Sequence, residues 1–481
     1  MNEFQTILFG KSSAEAESTD YPELLLAGYL DHWEIAEQIL DGGKYLVLGY
    51  KGSGKSAIAS HLSLRADLDP SLFVTHTFLS DFPHTTFLKM VEGDDDPQSR
   101  FPSAWSWILM LAILSSFMKD EGSKSARDPE FSRVLGVFRD LGLLPAVNLR
   151  DIALRSSKKS FKISIPSIIE TAFEKEAQQG WDLQFYQLVE NLKTLVSSFN
   201  SASQHIVLID GLDDVLTGKH TQYDSLAALV IEVARLNLML KKANLRTKLV
   251  LLCRTELYER IPGPNKNKLR QDYSIDLDWY HDTRKPGTSR LVELANLRAA
   301  LSLNVRSVDV FGKYFPHEID GSSAVQFLLN NTRHTPRDFI QLLNYVQKYS
   351  TSARLNREMV LSGLRDYSIN YFLPEVRDEL VGYIPGSEVD TCLKLIGALR
   401  KRDFTYSELE DELNRSRKYL DIKDLEILLE ELFACSAVGN IDRRPNGVNH
   451  FSFRYRNRNS TLDLDGRIIL HKGLWKALNV V

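Results

Sequence analysis

Eight consecutive residues, Gly49-Tyr50-Lys51-Gly52-Ser53-Gly54-Lys55-Ser56, fit the pattern G-x-x-x-x-G-K-[ST]. They lie between a short apolar run (KYLVLG, 44–49) and a stretch with helical spacing (SAIASHLSLR, 56–65). Glycines in such a loop let backbone N–H groups turn inward around phosphate oxygens, and the helix that follows adds the partial positive charge of its N-terminus. Lys55 is then placed to meet β- and γ-phosphates, and Ser56 to ligate Mg²⁺. The expected nucleotide-binding set is Gly49, Gly52, Ser53, Gly54, Lys55, Ser56 and Ala57, with ATP and Mg²⁺ as cofactors. The competing reading of the same residues is a structural glycine turn.

Three further segments bear on that chemistry. In His205-Ile206-Val207-Leu208-Ile209-Asp210-Gly211-Leu212-Asp213-Asp214 an apolar run ends in a carboxylate, which a parallel sheet would present at its C-terminal edge, where ligands bind. Asp210 is the expected Mg²⁺ partner, through a water, because Mg²⁺ dehydrates reluctantly. Asp213 and Asp214 are candidates to orient or deprotonate an attacking water. Arg254, just past the run Leu249-Val250-Leu251-Leu252-Cys253, could sense a γ-phosphate or pair with a surface carboxylate. Arg337, in Arg333-His334-Thr335-Pro336-Arg337-Asp338-Phe339, opens an amphipathic helix with proline suited to its first position. It could reach back to a nucleotide or serve the helix end alone. Arg270, with Arg260 competing, is a candidate finger toward a neighbouring subunit.

The elements that must position these residues read as α/β. Apolar strand candidates at 44–49, 72–79, 205–210, 248–253 and 273–277 alternate with helical segments such as 225–241, so parallel crossovers and a three-layer sheet are expected. More than a hundred residues separate the second and third strands, too many for one crossover, and read as a helical insertion at about 100–203. Within it RSSKKSFKIS (155–164) reads as an exposed connection. The domain expectation is an N-terminal segment packing on the core (1–43), the phosphate-loop core (44–283), a helical lid (284–385) and a C-terminal domain (386–481). In that last part three helices precede two strands, at 436–441 and 450–455, around Pro445-Asn446-Gly447, which is the winged-helix order.

Composition sets the limits. The chain has 481 residues, 43% hydrophobic and 25% charged, with net charge −4 and pI near 6.3, an ordinary globular balance with no global pull toward nucleic acid. Three scattered cysteines without Cys-x-x-Cys spacing read as reduced thiols in a cytoplasmic setting. The acidic start of the chain is not a secretory pattern. The most apolar stretch, 105–117, is too short to span a bilayer and reads as a buried helix, so no membrane partner is expected. No metal site beyond Mg²⁺ is expected, and His76, His84, His205 and His334 read as core or surface residues. No nuclease, protease or repeat signature is present.

The third helix of the winged-helix order carries Asp421, Asp424, Glu426, Glu430 and Glu431 against Lys423 alone, which would repel phosphate. After it come Arg443, Arg444, Arg454, Arg456, Arg458, Arg467, Lys472 and Lys476. A strand through 450–455 would set Phe451, Phe453 and Tyr455 on one side and arginines on the other. That basic face could meet DNA, an acidic protein surface or solvent.

The phosphate loop, the Leu208–Asp214 segment and the Pro336–Phe339 helix resemble STAND and KAP-like P-loop NTPases of the AAA+ assemblage. Phe9-Gly10, Ala14-Glu15, Leu277-Asp278-Trp279 and 332–344 are similar to a little-characterised bacterial group of P-loop ATPases, several of which sit near phage-defence genes. The resemblance implies an ATPase acting as a nucleotide-dependent switch in stress or antiphage defence, as a homo-oligomer or with a partner effector protein. It also implies that the winged helix clamps the nucleotide domain. Gly211 stands where AAA+ proteins carry a glutamate, and Asp214 where STAND proteins often do, so slow turnover is expected. The alternatives are an origin-recognition-like DNA-binding loader or remodeller, and a scaffold that binds ATP without turnover.

Overall fold

The structure is a computed structural model that describes residues 2–79, 82–83, 86–87, 97–145, 148–212, 220–263, 265–281, 285–380, 383–415, 422, 424–443 and 449–480. The chain divides into two compact units, Trp33–Gly49 with Lys55–Leu277, and Met1–His32 with Tyr50–Gly54 and Asp278–Val481.

The first unit is built on a five-stranded parallel sheet of β1 (Leu46–Gly49), β2 (Leu72–Phe78), β3 (Gln204–Asp210), β4 (Thr247–Arg254) and β5 (Ser274–Asp276), in the order β2-β3-β4-β1-β5. Leu46, Val47 and Leu48, Ile206 to Ile209 and Leu249 to Cys253 are all buried, the continuous apolar runs of a parallel sheet covered on both faces. The helix Lys55–Leu68 leaves β1 and the helix His220–Lys242 joins β3 to β4. This is the three-layer α/β fold of P-loop NTPases, with β1 between β4 and β5.

The insertion between β2 and β3 contains helices Pro97–Phe117, Pro129–Asp140, Leu149–Ser156, Lys159–Phe173 and Trp181–Ser197. Trp105 and Trp107 are fully buried in the first of them, and their indoles donate to Ser225 O at 2.9 Å and Ser156 Oγ at 2.8 Å. The expected exposed connection at 155–164 is instead the end of one helix and the start of the next. Its hydrophilic residues concealed a helical stripe, because Phe161, Ile165, Ile168, Ile169 and Ala172 fall on one buried face. No helix among the described residues is long and apolar enough to cross a membrane.

In the second unit a hydrophobic core runs through the helical region and the C-terminal domain, from Phe4, Ile7 and Phe9 to Leu428, Leu432 and Leu470, beside a smaller cluster of Ile441, Phe453, Tyr455 and Ile469. The N-terminal residues therefore pack with the helices after Asp278, and buried Arg298 fixes them by donating to Glu17 Oε1 at 2.7 Å and Phe9 O at 2.8 Å. Arg357–Tyr367 passes through a π turn at Ser368–Phe372 into Leu373–Leu380. Pro374 has no N–H for the carbonyl of Asn370, and Tyr345 Oη donates to that carbonyl instead at 3.4 Å.

The C-terminal domain orders Gly386–Ala398, β6 (Asp403–Thr405), Tyr406–Arg415, Leu425–Ala434, β7 (Val438–Arg443), β8 (Asn449–Ser452) and β9 (Arg467–Leu470). The sheet order is β8-β7-β9-β6, a winged helix with two strands the sequence pattern did not announce. The strand expected over 450–455 stops at Ser452, and 453–457 form a turn in which the amides of Arg456 and Asn457 donate to Phe453 O. Arginines and aromatics therefore do not alternate along a strand. Arg454 donates to Ser460 O at 2.7 Å, Arg456 to Tyr455 Oη at 3.0 Å, and Arg467 to Asp403 Oδ2 at 2.6 Å. Arg444, Asp421 and Lys423 lie outside the described residues, as does His84.

A buried ionic cluster ties the helical region to the winged helix. Arg333 donates to Asp338 Oδ2 at 3.0 Å, to Glu379 Oε2 at 2.6 Å and to Cys435 O at 3.5 Å, while Tyr371 Oη donates to Asp338 at 3.0 Å. Burial opposes the charge on Asp338, but Arg333 and Tyr371 outweigh it and hold the carboxyl below the usual range. Glu379→Gln, which weakens one charge-assisted bond and leaves the Asp338 pair, is expected to lower stability by about 2 kcal/mol in a denaturant titration.

Three buried histidines make stability depend on pH. Burial holds His205 neutral, to about 4 despite Asp120, and holds His334 to about 3 with help from Arg456 and His281. Burial likewise holds His471 to about 3, with Arg333 and Arg456 reinforcing it against Asp338. Folded pKa values below the unfolded value near 6.5 give stability that is present above pH ~6.5 and lost as pH falls toward 3 to 4. Each histidine should remove on the order of 1 kcal/mol per pH unit below ~6.5. Denaturant midpoints at pH 7.5 and 5.5 check this, and His334→Phe is expected to flatten the slope.

Candidate nucleotide-binding site

In the first unit, β1 delivers Gly49 to the C-terminal edge of the sheet, and Lys55 opens the helix Lys55–Leu68. Lys55 is buried, and its ammonium donates to Gly49 O at 2.9 Å. One residue on, Ser56 Oγ donates to Asp210 Oδ2 at 2.8 Å, and Ala57 follows in the same helical turn. The hydroxyl and carboxylate come from positions 154 residues apart, brought together because β3 ends beside the sheet edge where the helix begins.

Asp210 is 5% exposed. Burial raises its pKa, yet His76, the Ser56 hydroxyl, the Lys55 charge and the Gly211 N–H together hold the carboxyl below the usual carboxylate range, so it is ionised at neutral pH. His76 Nε2 stands 3.7 Å from Asp210 Oδ2, beyond direct hydrogen-bond distance. By residue type alone His76 reads as a core or surface residue. The parallel register places it: His76 faces Leu208, two residues before Asp210, so both side chains project from the same face of neighbouring strands.

Arg254 ends β4 opposite Gly49 in the register of β1, half-buried. Arg270 is held within its own chain by Asp276 Oδ1 at 2.7 Å and Glu259 Oε1 at 3.7 Å, whereas Arg260 is exposed. Asp213 and Asp214 lie outside the described residues.

In the second unit, Tyr50–Gly54 form a turn closed by the Ser53 amide on Tyr50 O at 3.1 Å. Gly52 and Gly54 have φ of +81° and +101°, conformations that a side chain would strain. A Cβ on Gly52 would stand 3.1 Å from Thr335 Oγ1 and from Arg337 Cβ, while the space at Gly54 is open. Arg337 is the second residue of the helix Pro336–Gln347, capped by Thr335, and its backbone N–H donates to Gly52 O at 3.3 Å. A loop carbonyl thus satisfies one of the amides that a helix start leaves without an internal partner. The Trp279 indole donates to Ser53 O at 2.8 Å and Tyr50 Oη to Arg454 O at 3.1 Å. Lys51 Nζ lies 3.1 Å from Glu375 Oε2. The motifs named Lys51, Trp279 and Arg337, but Glu375 pairs with Lys51 across 324 residues and leaves no local pattern.

The donor set fits a nucleotide with its cation. Ser53 Oγ is buried with no hydrogen-bond partner, a polar atom in the loop left for a ligand. Ser56 Oγ and the ionised Asp210 offer the hard oxygen pair that suits Mg²⁺ held chiefly by phosphates and water. Among the described residues no group of three or more His, Cys, Asp or Glu side chains forms another metal site.

Residues 289–373 match the family described as the FunZ-associated C-terminal helical domain. Among solved structures, the chain is similar to the Aeropyrum pernix ORC1 protein in complex with DNA, at 13% identity and TM-score 0.38, covering 95% of this chain and 94% of that one. It is also similar to Drosophila ORC bound to DNA, at 11% identity and TM-score 0.32, covering 99% and 90%. No curated protein matches in sequence.

Proposed function

We propose that this protein binds ATP with Mg²⁺ through its phosphate loop and hydrolyses it slowly, as a nucleotide-dependent switch. The observation that carries the reading is the 2.8 Å bond between Ser56 Oγ and Asp210 Oδ2, at the strand edge of a P-loop fold. Lys55 neutralises the β- and γ-phosphates, the loop amides and Ser53 hold their oxygens, and Arg254 and Arg337 read the terminal phosphate. Asp213 or Asp214 activates the attacking water. Slow turnover follows from Gly211 standing directly after Asp210, where a glutamate base would be expected. The test is calorimetric titration with ATP and ADP, with and without Mg²⁺. Micromolar ATP affinity that weakens when Mg²⁺ is chelated supports the reading, and heatless titrations at millimolar ATP reject it.

The kinship with STAND and KAP-like proteins, and a cytoplasmic role in bacterial defence with a partner effector or as a homo-oligomer, belong to the same proposal. They rest on the motif resemblance. The DNA-loader reading is weakened by the internal pairing of Arg454, Arg456 and Arg467 and by the exposed Glu426 and Glu430 on the third winged helix. Replacing Arg454, Arg456 and Arg458 together is therefore expected to leave ATP turnover within twofold whether or not duplex DNA is present, as measured by phosphate release.

A further inference from the structure

Building on the nucleotide-site reading above, we propose that Glu375 competes with the γ-phosphate for Lys51 and Arg337, and so sets how strongly this chain prefers ATP to ADP. Glu375 lies in the first turn of the helix Leu373–Leu380, directly after the π turn. Its Oε2 stands 3.1 Å from Lys51 Nζ and 3.9 Å from Arg337 Nη1. Both cations belong to the phosphate loop's immediate surroundings. Lys51 is a loop residue, and Arg337 packs its Cβ against Gly52 while its amide binds Gly52 O. All three side chains are less than a third exposed, so their charges are only partly screened.

One carboxylate thus holds two cations at a loop built for anions. A polyphosphate arriving at that loop must draw the cations away from Glu375, and the carboxylate is then left beside like charge. ATP carries one more phosphoryl group than ADP, the group that the site reading proposed above assigns to Arg337. The competition therefore falls mainly on ATP, the differential interaction that a nucleotide switch requires. Glu375 is also firmly placed. Glu379, one helical turn further along, is bonded at 2.6 Å to the buried Arg333, which fixes the helix face that presents both carboxylates. Glu375 acts through Lys51 and Arg337 and is a positioning residue.

The experiment measures ATP and ADP dissociation constants of the full chain by calorimetry with Mg²⁺, for wild type, Glu375→Gln and Glu375→Asp. Glu375→Gln keeps the shape and removes the charge, and is expected to tighten ATP roughly three- to tenfold while ADP moves by less than about twofold. Glu375→Asp keeps the charge at shorter reach and should give a smaller gain of the same sign, which carries the test if the Gln variant does not fold. A purely structural role would lower the unfolding temperature and leave the ATP-to-ADP ratio alone, and that result overturns the proposal, as does weaker ATP binding in the folded variants. Wild-type protein that binds neither nucleotide defeats the underlying site reading. Wild-type binding with an unchanged ratio in both variants defeats the competition only.

Discussion

Lys55→Ala is expected to weaken ATP binding on the order of 100-fold or more, about 2.7 kcal/mol, and to leave no measurable turnover. An ammonium out of water needs partners, and Gly49 O supplies one at 2.9 Å from the end of β1. That carbonyl holds the side chain along the loop, where an arriving phosphate would meet its positive charge. Alanine removes the charge without touching the strand or the helix, because position 55 begins the helix and alanine is a strong helix former. Thermal unfolding of the unliganded variant should match wild type within a few degrees. Near-normal ATP affinity in a folded Lys55→Ala protein would move the phosphate site elsewhere.

The second large effect is expected at Asp210. Asp210→Ala should lower Mg²⁺-dependent hydrolysis on the order of 1000-fold, about 4 kcal/mol, while ATP binding without Mg²⁺ changes less than about threefold. Its carboxyl is ionised at neutral pH because Ser56, His76, Lys55 and the Gly211 amide together outweigh burial. Stability and cation binding that depend on the ionised form are present above its unfolded value near 3.9 and lost only as pH falls through its lower folded value. Turnover loss in acid near pH 5 to 6 would therefore reflect other groups. A parallel Asp214→Ala variant should bind ATP and fail to release phosphate if that residue activates the water. Normal turnover in both variants would place the catalytic carboxylate outside this segment.

The parts of the molecule that were legible in the sequence are those whose signal is local. The phosphate loop is contiguous, and the five strands of the parallel sheet are short apolar runs, so both could be read to within a few residues at their ends. The strand order was not legible, because nothing in β1 or β4 marks them as neighbours, yet their register sets Arg254 opposite Gly49. Hydrophilic composition masked the helices at 149–156 and 159–173, where a buried stripe with helical spacing decides the structure. The π turn and the continuation to Leu380 were hidden by Pro374, which usually ends a helix and here is accommodated by a wider turn. The arginine and aromatic alternation after Phe451 suggested a basic strand face, but local turn bonds and the Ser460, Tyr455 and Asp403 acceptors absorb those arginines.

Within the candidate site the same distinction holds. Lys55, Ser56 and Asp210 carry motif signatures and the fold brings them together. His76 becomes visible only through the pairing of β2 with β3, and Glu375 only through a fold that returns residue 375 to residue 51. Such residues tune charge at the site, and their identity follows from tertiary placement alone.

Under this reading the phosphate loop and Asp210 make the chain a slow Mg²⁺-dependent ATPase. Steady-state phosphate release from ATP by the purified chain is to be followed with and without Mg²⁺ and with and without duplex DNA, with Lys55→Ala as the blank. A low rate that requires Mg²⁺, vanishes in the blank and is indifferent to DNA is expected. A rate equal to the blank under every condition would contradict the reading.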